Sequence, residues 1–148
     1  MSNAEAKKLL PKYTLGEELW NSISHGIGAL FGIFALITTL MKADGVRENV
    51  ACSIYGASLI LLYTVSCVYH SLAPNVGKRV MQVLDHCTIY LLIAGTYTPA
   101  ALIGVYNADP KSAWIIFGLV WILLIPAVTL TAVNMEKFKV FSDRKSVV

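Results

Sequence analysis

Ser66, His70, Asp85 and His86 follow one another closely, in or at the edge of two strongly apolar stretches, and His25 and Asn21 occupy the edge of another. Imidazole and carboxylate are ligands for first-row metals, zinc above all. A zinc-bound water is a nucleophile near neutral pH, so these residue types point to metal-assisted hydrolysis. A catalytic zinc takes three protein ligands and keeps one position open. His70 is the first candidate ligand, and either His25 or His86 could be a second. Asp85 would serve as a ligand or as the partner of the bound water. Ser66 stands four residues before His70, on the same helix face. It either bonds back to the carbonyl of Leu62 or lies beside the site. Asp85 and His86 are about 100° apart on a helix and cannot both point at one centre. A carboxylate at the middle of a bilayer costs roughly 3 kcal/mol on insertion scales, so its presence marks a pathway, a relay or a bound ion. No short metal motif such as H-E-x-x-H accompanies these residues.

The elements that carry them read as membrane spans. Of 148 residues, 56% are hydrophobic and 14% charged, with a mean hydropathy of +0.63. An ordinary soluble domain is nearer a quarter charged. Four apolar segments, at about 20–41, 50–72, 83–106 and 112–133, each approach the ~20 residues that cross a bilayer as a helix. Backbone groups in lipid must be satisfied internally, which makes each segment helical. The expected fold is all-α, a polytopic transmembrane helix bundle of four spans within 18–134. A polar segment, 1–17, with room for an interfacial helix, precedes it, and a basic tail, 135–148, follows.

Charge distribution sets the expected orientation. Lys7, Lys8, Lys12, Lys78, Arg79, Lys137, Lys139, Arg144 and Lys145 fall on one side if the spans alternate; Lys42, Arg47 and Lys111 fall on the other. The positive-inside rule then puts both termini in the cytoplasm. The basic residues are scattered around membrane ends without aromatic interleaving, which argues against nucleic acid as a partner. The first apolar segment is too long for a signal-peptide core and lacks a small-x-small cleavage site. Cys52, Cys67 and Cys87 form no C-x-x-C pair and read as small buried hydrophobes.

Helical spacing groups the polar residues. Asn21, His25, Gly28 and Gly32 share a stripe on the first span, and Gly28 and Gly32 form a G-x-x-x-G that permits close helix approach. Cys52, Gly56, Leu59, Tyr63, Ser66 and His70 align on the second, and Asp85, Thr88, Leu92, Thr96 and Pro99 on the third. The fourth span carries Trp114, Trp121 and an internal Pro126 but no polar stripe. The first three spans are therefore expected to face one another, with Asn21, His25, Ser66, His70, Asp85 and His86 in one cytoplasmic-side layer. Tyr63, Tyr69, Tyr90 and Tyr97 read as packing or interface residues.

N-S-I-S-H-G (21–26), S-x-x-x-H (66–70) and K-R-V-x-x-x-L-D-H-x-x-I-Y-L-L-I-A-G-T-Y-T-P (78–99), in that order, resemble bacterial hemolysin III proteins of the progestin and adipoQ receptor (PAQR) superfamily. The resemblance implies a multi-pass protein of the bacterial plasma membrane with seven helices and an intramembrane zinc near the cytoplasmic face. It makes His70 a zinc ligand, sets Ser66 beside the site and gives Asp85 contact with the zinc-bound water. Two further ligands belong to an H-x-x-x-H motif in the family's seventh helix, whereas this sequence matches about the first four. By itself this chain is then expected to hold zinc weakly, and three alternatives follow: a truncated fragment, missing helices supplied by a second copy or a partner chain, or a protein that does not use zinc.

Three functions are compatible with these residues. The first is zinc-dependent hydrolysis of a lipid amide or ester, with Asp85 and Ser66 as catalytic-side residues and His70 as ligand. The second is a membrane-perturbing or pore-forming protein, acting on membrane lipids without His70 or Asp85. The third is a non-enzymatic regulatory component or an inactive remnant.

Overall fold

The computed structural model describes residues 2–145, with side chains through residue 133. It contains helices α1 (Asn3–Leu9), α2 (Leu15–Leu40), α3 (Val46–Ser71), α4 (Val76–Pro99) and α5 (Pro110–Lys145). A π-helical stretch, Ala100–Val105, continues α4. Four helices are long and apolar enough to cross a membrane: Leu15–Leu40, Val46–Ser71, Val76–Val105 and Pro110–Val133. The chain is a polytopic all-helical membrane protein. The basic tail expected at 135–148 lies outside the residues described with side chains.

Local sequence explains where each helix starts. Thr14 caps α2: its hydroxyl accepts from the Glu17 amide at 3.3 Å, and Glu17 Oε2 accepts from the Thr14 amide at 2.7 Å. That reciprocal box satisfies two of the helix's orphan donors. It also starts the helix at Leu15, five residues before the apolar run. Ser2 and Glu5 cap α1 in the same way. Asn75 caps α4, accepting from the Lys78 amide at 2.8 Å, so this helix begins at Val76 rather than near residue 83. Lys78 and Arg79, read from the sequence as loop charges, thus occupy the first turn of a helix and are buried.

The spans pack in chain order, α2 on α3, α3 on α4 and α4 on α5. The central position of α3 differs from three spans meeting face to face. Glycines allow this packing: a Cβ on Gly28 would meet the Tyr63 ring at 2.7 Å, and one on Gly32 would come within 3.4 Å of the Ile60 backbone nitrogen. Close backbone approach replaces a hydrophobic driving force that lipid cannot supply. Large apolar side chains are correspondingly turned outward, among them Trp20, Phe31, Phe34, Ile122 and Leu123.

Pro99 accounts for the π-helical stretch. It has no amide hydrogen to bond within the preceding turn, and the helix widens after it. The Tyr106 amide there bonds to the Ala101 carbonyl at 3.1 Å. Trp121 Nε1 of α5 donates to Thr98 Oγ1 at 3.1 Å, tying α5 to α4 just before this point. At the same end of the molecule, the Arg47 guanidinium lies 3.8 Å from the centre of the Tyr106 ring.

Candidate metal and hydrolysis site

The opposite end of the helices, where α2 begins and α3 ends, gathers the polar groups. His70 is the hub. Its Nδ1 lies 2.7 Å from Glu18 Oε2, and its ring meets those of Tyr13 and His25 edge-on, each with centroids 5.8 Å apart. The Tyr69 ring is tilted against it at 4.6 Å. The other oxygen of Glu18 accepts from Lys78 Nζ at 2.6 Å. Lys78 Nζ also donates to the Leu72 carbonyl at 2.9 Å, at the end of α3, and stands 5.1 Å from the Tyr69 ring centre. Lys78 is 2% exposed, so its charge is neutralised inside the protein rather than in water. One carboxylate therefore links α2, α3 and α4.

Helix registry fixes which other groups share this level. The Cβ position of Gly26 faces Cys67 Sγ at 3.5 Å, which sets His25 beside the turn holding Ser66 and His70. On the other side, Gly95 sits against Ser58 in antiparallel α3 and α4. Moving from Gly95 back to Asp85, and the same number of residues forward from Ser58, reaches Val68. Asp85 is thus level with the same turn. Its side chain is 15% exposed, and it is the carboxylate within electrostatic reach of both His25 and the Tyr69 hydroxyl. Ser66, one turn before His70, is buried. At the edge of the layer, Ser22 Oγ and Ser71 Oγ are bonded at 2.6 Å, which joins α2 to α3.

His86 does not join this group. Its Nδ1 lies 2.8 Å from the Gln82 carbonyl, one turn back, and 3.8 Å from Asp85 Oδ2, and its side chain is 45% exposed. The three cysteines are free thiols.

Two polar atoms in the layer are buried without a hydrogen-bond partner, His25 Nδ1 and the Tyr69 hydroxyl. Unpaired buried polar atoms are costly, and they mark places where a further polar group belongs. Among the described residues, no three His, Cys, Asp or Glu side chains are clustered closely enough to hold a metal by themselves. The residues present fit part of a zinc site: His70 Nε2 is left over from the Glu18 contact, and His25 Nδ1 is unpartnered beside it.

Sequence reasoning passed over Glu18, Lys78 and Tyr69. Glu18 stands just ahead of the apolar run that begins near residue 20, although T-x-x-E at Thr14–Glu17 is a helix-start signature that carries the helix through it. Starting the helix there puts Glu18 on the stripe of Asn21 and His25, three and seven residues on. Asn75 before an apolar run was the matching signal for Lys78.

A family model described as haemolysin-III related matches residues 13–147. The chain belongs to this family. It is 37% identical to "Hemolysin-3" of Bacillus cereus over 132 residues, which cover 87% of this chain and 55% of that protein. It is 41% identical to the "Hemolysin-3 homolog" of Bacillus subtilis (strain 168) over 93 residues, 61% of this chain and 44% of the relative. The chain thus spans about half the length of the curated relatives it matches. No solved structure matches it. The family match starts at Tyr13 and takes in Glu18, His25, Ser66, His70, Lys78 and Asp85, so the whole polar layer falls inside it.

Proposed function

We propose that this hemolysin III family chain carries part of a zinc-dependent site that hydrolyses a lipid amide or ester at the cytoplasmic side of the bacterial plasma membrane. Both termini are cytoplasmic in this reading, and the remaining ligands come from a second copy or a partner chain. The observation that carries it is the pair of unpartnered buried atoms, His25 Nδ1 and the Tyr69 hydroxyl, on two residues whose rings both pack against His70.

His70 Nε2 would hold the zinc, with His25 Nδ1 as the second imidazole at hand. Zinc, when bound, supplies Lewis-acid polarisation of the scissile carbonyl and a more acidic water. Asp85 orients the attacking water and takes its proton at a carboxylate oxygen. It then returns that proton to the leaving nitrogen or oxygen as the carbonyl–heteroatom bond breaks. Ser66 offers a buried hydroxyl one turn from His70, able to hydrogen-bond the same water or the carbonyl. The apolar outer faces of the helices let an acyl chain approach from the lipid while its polar end meets His70.

A membrane-perturbing function is the second reading, and the name of the Bacillus cereus relative is what favours it. One reconstitution separates the two. The purified chain goes into vesicles that hold both a lipid amide and a self-quenched dye, with zinc present. Hydrolysis predicts fatty-acid release by mass spectrometry that Asp85→Asn abolishes, without dye loss. Dye leakage that persists in Asp85→Asn and His70→Ala, with no fatty acid released, would replace it by the second reading.

A further inference from the structure

Glu18 uses its two oxygens for different purposes. Oε1 meets Lys78 Nζ at 2.6 Å, and Oε2 meets His70 Nδ1 at 2.7 Å. A lone ion pair tying α2 to α4 needs neither the second contact nor its direction. A carboxylate can only accept, so a neutral His70 must carry its proton on Nδ1 and leave the lone pair on Nε2. Free imidazole has no such constraint. We propose that Glu18 is the positioning residue of the site, holding His70 by Nδ1–H so that Nε2 is presented as the metal-binding nitrogen. This inference rests on the reading of His70 as a metal ligand.

Lys78 makes the arrangement rigid. Its ammonium is buried against Glu18, the Leu72 carbonyl and the Tyr69 face, so it fixes the carboxylate relative to the end of α3, where His70 stands. The Glu18 side chain is 16% exposed and that of His70 8%, so water competes little for either contact. The Tyr13 and Tyr69 rings pack on the imidazole, with centroids 5.8 and 4.6 Å away, and limit its rotation. Carboxylate–histidine–metal triads have this form: the carboxylate sets tautomer and ring orientation and raises ligand basicity.

The test reads the tautomer directly. The full chain, 15N-labelled at histidine, is reconstituted in nanodiscs and observed by NMR at pH 8; zinc affinity is measured on the same samples against a competing chelator. His70 in the native chain is expected as the Nδ1–H tautomer. Glu18→Ala should shift it towards Nε2–H and weaken zinc binding about 10- to 100-fold, the range for loss of such a partner. Glu18→Gln keeps a carbonyl oxygen able to accept from Nδ1–H, so it should retain the tautomer with a smaller loss, and it serves if the alanine variant fails to fold. Native His70 in the Nε2–H form, or a tautomer unaltered in Glu18→Ala, would overturn the positioning role. A tautomer that follows Glu18 in a chain that binds no zinc supports the positioning of His70 and removes the zinc reading instead.

Discussion

Lys78→Met perturbs the polar layer at its most buried charge. The variant keeps the length and apolar stem of the side chain but removes the ammonium from Glu18 Oε1 at 2.6 Å and from the Leu72 carbonyl at 2.9 Å. At an effective dielectric near 20, unit charges at that separation attract by about 6 kcal/mol. Desolvating each ion costs several kcal/mol, so the pair as a whole is near neutral against an apolar replacement. Breaking it from one side is different. Glu18, 16% exposed, is then left as a carboxylate without its cation, and such losses run to about 3–5 kcal/mol. Residual access to water and the remaining His70 contact put this case at the low end, about 3 kcal/mol, or roughly a hundredfold in the folding equilibrium. Equilibrium unfolding in mixed micelles, followed by far-UV circular dichroism, reads it. Glu18→Gln in the same chain should recover much of the loss, because no buried charge is then unpaired. A Lys78→Met variant within about 0.5 kcal/mol of native would show that Glu18 is not left as an uncompensated buried charge, since that is the range of changes away from any buried feature. So would a cost that is the same in the Glu18→Gln background.

Other perturbations test the scaffold around the site. Gly95→Ala would put a Cβ on Ser58 Oγ and 2.8 Å from its Cβ, and this overpacking should destabilise the α3–α4 contact by about 1–3 kcal/mol in the same unfolding assay. Trp121→Phe removes the 3.1 Å bond to Thr98 while keeping an aromatic ring, and it should cost about 0.6 kcal/mol, the mean for hydrogen bonds between membrane helices. Asp109, before the first residue of α5, accepts from Ser112 and the Lys111 amide, and the Ser112 hydroxyl bond is foremost in holding its carboxyl below the ordinary value of 3.8. A depressed folded-state pKa gives stability that is present above the unfolded value and lost as pH falls through the folded one. Protection against amide exchange at the start of α5, taken relative to the intrinsic rate at each pH, should therefore fall as pH drops below about 4 and be lower in Asp109→Ala at neutral pH; unchanged protection in both would count against the cap.

Much of this architecture was legible in the sequence because lipid leaves few options. Apolar runs of the right length must be helices, and the G-x-x-x-G at Gly28 and Gly32 marked a close helix contact that the Tyr63 ring and Ile60 backbone fill. Helix ends were less legible, because hydropathy detects the apolar body and not the polar first turns. Thr14 and Asn75 start their helices before the hydropathy rises, and those added turns carry Glu18 and Lys78. A charge counted as a loop residue was thus a buried structural cation. Helical stripes and depth put Asn21, His25, Ser66, His70, Asp85 and His86 in one layer, from which His86 departs, but the order of packing was not readable. Nothing in three polar stripes says that α3 lies between α2 and α4, or that a carboxylate from α2 takes one face of His70. His86 illustrates the opposite case: its ring nitrogen is used by the Gln82 carbonyl one turn back, a local contact that spacing from other helices does not reveal.

Zinc stoichiometry decides whether His70 is a metal ligand. The chain is purified without chelator or affinity-tag histidines, held at equilibrium with buffered free zinc so that a weakly held ion is not stripped, and its bound metal per chain is measured beside His70→Ala and His86→Ala. Bound zinc is expected in the native chain and in His86→Ala, and its loss in His70→Ala. Metal absent from the native chain, or bound equally by His70→Ala, would contradict that role.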